Sequence, residues 1–211
     1  MAIDAARLIT MFDGIADAIA ADRDRFCALD GKIGDGDHGI AMDLGFSAVR
    51  DALRAAEPAV ADPTAVLNTA ARAFLNAVGA SSGPLYATAF MRAAAAVKGR
   101  QELEPADIVA MLEAMAKGIR DRGKAEPGEK TMVDAWQPAA DAARQDFDKS
   151  GALAPALAAA VAAAKQGVEA TIPMISAKGR SSRLGDRTVG HADPGAASAA
   201  TIISAMARAL G

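Results

Sequence analysis

Only one cysteine, Cys27, stands among the 211 residues. That excludes an internal disulfide and suits a reducing compartment, so a cytoplasmic location is expected. Aromatic side chains make up just 4% of the chain, and β-branched runs are few. No window offers the roughly 18 uncharged apolar residues of a membrane span; the alanine-rich run from Leu153 to Ala164 is too short and too weakly apolar. The start of the chain carries Asp4, Arg7, Asp13 and Asp17, without the basic start and apolar run of a signal peptide. Positive charge is not in excess either. With 23 basic and 26 acidic residues the net charge is −3, which argues against nucleic acid as a partner; with no spanning window, no membrane is expected as one either. What the chain does have is alanine, leucine and methionine, a helical composition, at a length expected to form one domain over residues 1–211.

Hydrophobic spacing predicts about eight helices. Leu8, Phe12, Ile15 and Ile19 mark a first, ending near Cys27, and Ile40, Leu44, Ala48 and Leu53 a second. Glu57-Pro58 and Asp62-Pro63 punctuate the chain, with Thr64 as the expected cap of a third helix reaching towards Ala77. A fourth is expected from about Pro84 to Lys98, closed by Gly99. Pro105 suits the first turn of a fifth, striped by Ile108, Leu112, Met115 and Ile119. Thr131-x-x-Asp134 resembles a capping box for a sixth, with Asp in place of Glu. Leu153, Leu157, Val161, Ala164 and Val168 define a seventh; Ala199, Ile202, Ile203, Met206 and Leu210 define the last. The expected fold is all-α, an antiparallel bundle or closed helical barrel with no strand.

Four segments do not fit helical spacing. The first is Leu29-Asp30-Gly31-Lys32-Ile33-Gly34-Asp35-Gly36-Asp37-His38-Gly39. Asp and Gly are also ordinary turn residues, so a plain loop is the competing reading. Carboxylates this close repel one another unless a cation or a set of donors sits among them. Oxygen ligands without a nearby cysteine favour Mg2+ ahead of Ca2+ or Mn2+. An EF-hand does not fit, because the twelfth position counted from Asp35 is Phe46, where that loop needs a bidentate Glu.

The second segment, Gly79-Ala80-Ser81-Ser82-Gly83-Pro84, is either a close-packed turn or a helix N-terminus ready for an anion. The third, Gly123-Lys124-Ala125-Glu126-Pro127-Gly128-Glu129-Lys130-Thr131, is a near miss for a phosphate-binding P-loop. Glu129 separates Gly128 from Lys130 and a helix precedes, so that fold is rejected. The fourth, Lys178 through Gly195, is a long stretch without helical spacing that holds His191. Long loops inside compact domains are functional or disordered, and a solvated charged loop is the bland alternative. Both histidines of the chain, His38 and His191, fall in these glycine-bearing segments, which favours a site. Carboxylates for Mg2+, helix N-termini for phosphate and an arginine are the components of phosphoryl transfer, which needs no side-chain nucleophile. None convinces here.

The motifs Gly34-Asp35-Gly36-Asp37-His38-Gly39, Gly79 to Leu85, Arg122 to Met132, and Gly179-Arg180-Ser181-Ser182 through Gly190-His191-Ala192-Asp193-Pro194-Gly195 resemble the nucleotide-binding L subunit of dihydroxyacetone kinases. The match spans nearly the whole chain in the family's order. The resemblance implies an eight-helix barrel with ADP or ATP and two Mg2+ ions at one end. By motif position it makes Asp30, Asp35 and Asp37 the metal ligands. It places His38, Gly39, Ile40, Ala41, Ser81, Ser82, Gly123, Met132, Arg180, Asp193, Pro194 and Gly195 around the nucleotide. It also implies a separate K subunit that holds dihydroxyacetone, or a related short ketose, covalently. In one subclass ATP is the donor; in another, bound ADP is rephosphorylated by a phosphocarrier M subunit of the phosphoenolpyruvate phosphotransferase system.

Three positions depart from the family pattern. Ala41 stands where Asn is common, Arg183 where Tyr is common, and the small-residue loop reads Ala-Ser-Ser-Gly. The subclass therefore stays open. So do two alternatives: a nucleotide-binding regulatory partner without kinase activity, and a Mg-dependent hydrolase acting alone.

Overall fold

The computed structural model describes residues 3–56 and 62–211. Among them are eight α-helices: α1 (Ala5–Ile33), α2 (His38–Ala56), α3 (Pro63–Ala77), α4 (Ser82–Ala96), α5 (Pro105–Gly123), α6 (Val133–Ser150), α7 (Leu153–Ala170) and α8 (Pro194–Leu210). A short 3-10 segment, Ser181–Thr188, lies between α7 and α8. No strand forms among the described residues; the one β-bridge pairs Ile3 with Leu103. Each helix packs on the next in sequence, and α1 packs on α8, which closes the ring into an antiparallel barrel. No described helix is long and apolar enough to cross a membrane.

Local chemistry sets most helix ends. Asp4 caps α1 by accepting from Arg7 N (2.9 Å). Glu104 and Asp107 form a reciprocal box at the start of α5, with Pro105 in the first turn. Gly151, at φ +63°, ends α6 by donating to Phe147 O. The few aromatic side chains are concentrated in the core. Phe46, Phe74, Tyr86 and Phe90 meet edge-on or tilted at 5.1–6.2 Å between centroids, with Phe12 and Trp136 at the margins.

The stripes expected for α5 and α8 are buried as read. Four expectations need correction. Helix α1 runs past Cys27 to Ile33, because Ile33 is buried and Asp30, in the last turns, has partners at the entry to α2, Asp37 N and His38 N. On α2, Ile40 and Leu44 are 59% and 54% exposed; the inward face is Gly39, Met42, Gly45, Phe46, Val49 and Leu53. Glycine misled the apolar count. A side chain on Gly39 would collide with Arg23 O on α1, so that face is marked by small size, not greasiness. The cap of α3 is Asp62, accepting from Ala65 N (2.8 Å), while Thr64 instead donates to Val97 O (3.4 Å). The Lys178–Gly195 stretch is not structureless, since local bonds such as Ser182 Oγ to Gly179 O and Thr188 Oγ1 to Gly185 O shape the 3-10 segment. Glu57-Pro58 lies outside the described residues.

Candidate functional site

An antiparallel ring has two ends, and the four irregular segments are the four connections at one of them. The α1–α2, α3–α4, α5–α6 and α7–α8 connections together line a cavity of about 510 Å³. The N-termini of α2, α4, α6 and α8 all open into it, so backbone N–H groups and four positive dipole ends converge on one space. Helices α4 and α6 begin without a side-chain cap, at Ser81 and Met132. At α4 that leaves N–H groups for something else, whereas at α6 Thr131 Oγ1 takes Val133 N.

Asp30 reaches across from α1. Its Oδ2 accepts from Asp37 N (3.0 Å) and His38 N (3.2 Å), so it caps α2 from another helix. A side chain on Gly34 would collide with Asp30 Oδ1, which explains a glycine there. Asp35 and Asp37 complete a triad whose ligand oxygens lie within 4.8 Å of one another. Arg180, from the α7–α8 connection, ion-pairs with Asp35 and stands 3.4 Å from Asp37. The donor set, three carboxylates and no sulfur or imidazole, fits a hard divalent cation.

His38 opens α2. Ser198 Oγ donates to Gly195 O (3.0 Å), so His38 Nε2 is the donor in its 2.9 Å bond to Ser198. Burial lowers the His38 pKa, and the Asp30 carboxylate works the other way. Ser198 also partners Tyr86, whose phenol burial pushes up. Asp193 caps α8 by accepting from Ala196 N (2.7 Å). Burial pushes its pKa up to about 7, with Asp134 and Asp30 adding repulsion, while the Ala196 bond and Lys130 work the other way.

The cavity brings together Asp30, Asp35, Asp37, His38, Ala41, Ser81, Ser82, Gly123, Met132, Arg180, Asp193, Pro194 and Gly195. Gly39 and Ile40 are not in its lining: Gly39 faces α1 and Ile40 faces outward. His191 is also outside it, half-buried in the α7–α8 connection. The α6 box is only half formed. Asp134 accepts from Thr131 N (2.8 Å), but Thr131 Oγ1 takes Val133 N (3.1 Å).

Several lining residues had no separate signal. Ile33, Leu85 and Ile119 supply an apolar wall from helix ends. Lys130 is buried, at φ +58°, and its ammonium donates to Thr188 O (2.6 Å), Met174 O (3.0 Å) and Ile172 O (3.5 Å). Burial lowers its pKa, and Asp193 counters that. Sequence offered only a lysine in a glycine-rich turn, the usual mark of an exposed one.

Known proteins share the sequence and the fold of this chain. The chain is 37% identical over 99% of both chains to the ADP-binding subunit DhaL of the PEP-dependent dihydroxyacetone kinase of Escherichia coli (strain K12). It is 39% identical to the ADP-binding subunit DhaL of PEP-dependent dihydroxyacetone kinase 2 of Listeria innocua, over 85% of this chain and 83% of that one. The dihydroxyacetone kinase of C. freundii, solved in complex with AMP-PNP and Mg2+, shares the fold at a TM-score of 0.72 and 23% identity. That match covers 99% of this chain but 34% of the kinase chain. The DAK2 domain family matches residues 32–208, and the chain belongs to that family.

Proposed function

We propose that this chain is the nucleotide-binding subunit of a dihydroxyacetone-kinase-type phosphotransferase. One observation carries the reading: four helix N-termini and a carboxylate triad face a single cavity. Its volume, about 510 Å³, falls in the range of nucleotide-sized pockets. In this reading Asp30, Asp35 and Asp37 hold Mg2+, two ions being expected. Mg2+ held there would supply charge neutralisation for the phosphates. Arg180 adds a cation at the same place. His38, Ala41, Ser81, Ser82, Gly123, Met132 and Asp193 to Gly195 surround ADP or ATP, with the uncapped N-terminus of α4 offering N–H groups to phosphate oxygens. Gly39 seats α2 against α1, and Ile40 sits at the outer edge.

The family resemblance implies that the acceptor, dihydroxyacetone or a related short ketose, comes on a separate K subunit. The relatives named as PEP-dependent ADP-binding subunits support bound ADP recharged by a phosphocarrier M subunit as the first form to test. The experiment is phosphoryl transfer to dihydroxyacetone with a K-type subunit, driven in parallel by ATP and by a phosphorylated carrier. Transfer that needs this chain, Mg2+ and the K subunit is the expected result. Brisk nucleotide hydrolysis by the isolated chain would overturn it, and Mg-nucleotide binding without transfer would point to a regulatory partner.

A further inference from the structure

The α7–α8 connection is a strap whose two limbs are clipped together at its base. Gly190 N donates to Ile172 O (2.8 Å), and Asp193 N donates to Thr171 Oγ1 (2.9 Å). Above that clip, the Lys130 ammonium gathers Ile172 O and Met174 O from one limb and Thr188 O from the other. Three converging carbonyls repel one another unless a cation with several donors sits among them, and an ammonium has three. The lysine's own base is held firmly. Asp134 accepts from Gly128 N and Thr131 N, fixing the turn on either side at the N-terminus of α6. A positive φ in a non-glycine residue persists only where the surroundings over-determine it.

We propose that Lys130 is the positioning residue of the site: by closing the strap over residues 172–190 it holds Arg180 against Asp35 and Asp37 at the cavity. Lys130 reaches the carboxylates only through the strap. Further contacts from the same turn follow the same path, since Ala177 N donates to Glu129 O (3.1 Å) and Lys178 pairs with Glu129 (3.4 Å). Ser176 and Ser181 add a hydroxyl pair at 2.6 Å inside the strap. Without the ammonium, three carbonyls are left facing one another in a buried space, and only the Glu129 contacts still tie the strap to the turn before α6.

The affinity part of the test rests on the nucleotide reading above; the strap part does not. Limited trypsin digestion reads the strap, because Lys178, Arg180, Arg183 and Arg187 all lie in it. In Lys130→Met we expect strap cleavage in nucleotide-free protein to rise at least tenfold, with the far-UV circular dichroism unchanged. Mg-ADP affinity should fall at least tenfold. Adding Arg180→Ala to Lys130→Met should cost far less than Arg180→Ala costs in the wild type, because both act through one contact. Lys130→Gly suits the positive φ and serves as the second variant should Lys130→Met fail to fold. Wild-type cleavage rates in the lysine variants, or fully additive losses with Arg180→Ala, would overturn the proposal. Failure of the wild type to bind Mg-ADP would instead overturn the nucleotide reading, with the digestion still deciding the role of Lys130.

Discussion

The two ends of the barrel treat their helix N-termini differently. At the far end α1, α3 and α5 begin under carboxylates from their own first turns, Asp4, Asp62 and Glu104 with Asp107. At the cavity end α2 is capped from another helix by Asp30, α4 and α6 have no side-chain cap, and α8 is capped by an Asp193 whose pKa is pushed up by burial. The far end satisfies its backbone locally and serves stability. The cavity end leaves donors open and crowds negative charge, an arrangement that costs stability in the empty protein and suits a bound cation and anion. Only α7, which starts uncapped at Ala152, departs from this division.

Substitutions at the two ends should therefore separate binding from stability. The largest effect is expected at the triad. Asp35→Asn and Asp37→Asn should each weaken Mg-ADP binding by more than about a hundredfold, beyond what loss of a group merely supporting a ligand does. Thermal unfolding of the metal-free protein should be unchanged or slightly raised. Calorimetric titration and circular dichroism check both halves.

Asp193 comes next. Its folded pKa, about 7, lies above the ordinary carboxylate value. Below pH 4 it contributes nothing, because both states hold the proton. Between about pH 4 and 7 the unfolded chain releases its proton while the folded one keeps it, so this group lowers stability as pH rises; above 7 the cost is complete. It is at most about 4 kcal/mol. Asp193→Asn keeps a capping oxygen and should flatten that fall when urea unfolding is followed from pH 4.5 to 8 without metal.

Gly39→Ala, forced against Arg23 O, should cost about 1–3 kcal/mol in the same measurement. At the far end, Asp62→Ala should cost about 1 kcal/mol and leave Mg-ADP affinity untouched. The smallest effect belongs to Ile40→Ser, within about 0.5 kcal/mol, since Ile40 is exposed. A large loss there would restore the stripe first read on α2.

Much of this was readable beforehand because helix periodicity is a strong signal, and the segments that break it are the four connections at the cavity. Ile108, Leu112, Met115 and Ile119 showed their face plainly. Misreadings arose where tertiary contact overrode local pattern. Gly39 and Gly45 mark the inner face of α2 by lacking bulk, which an apolar count passes over. The end of α1 was placed early because Asp30 and Gly31 look like loop residues until the α2 N-terminus supplies Asp30 with partners. Lys130 is buried only because carbonyls some 40 to 60 residues away close around it. His191 shares its glycine-rich setting with His38 but not its place in the cavity, a distinction that no spacing encodes.

The most direct test is mass spectrometry of the purified chain under native and then denaturing conditions, followed by titration with Mg2+ and ADP. The nucleotide reading predicts either retained ADP with Mg2+, or empty protein that binds Mg-ADP and loses that binding in Asp35→Asn. Empty protein that binds neither nucleotide nor Mg2+ would contradict it.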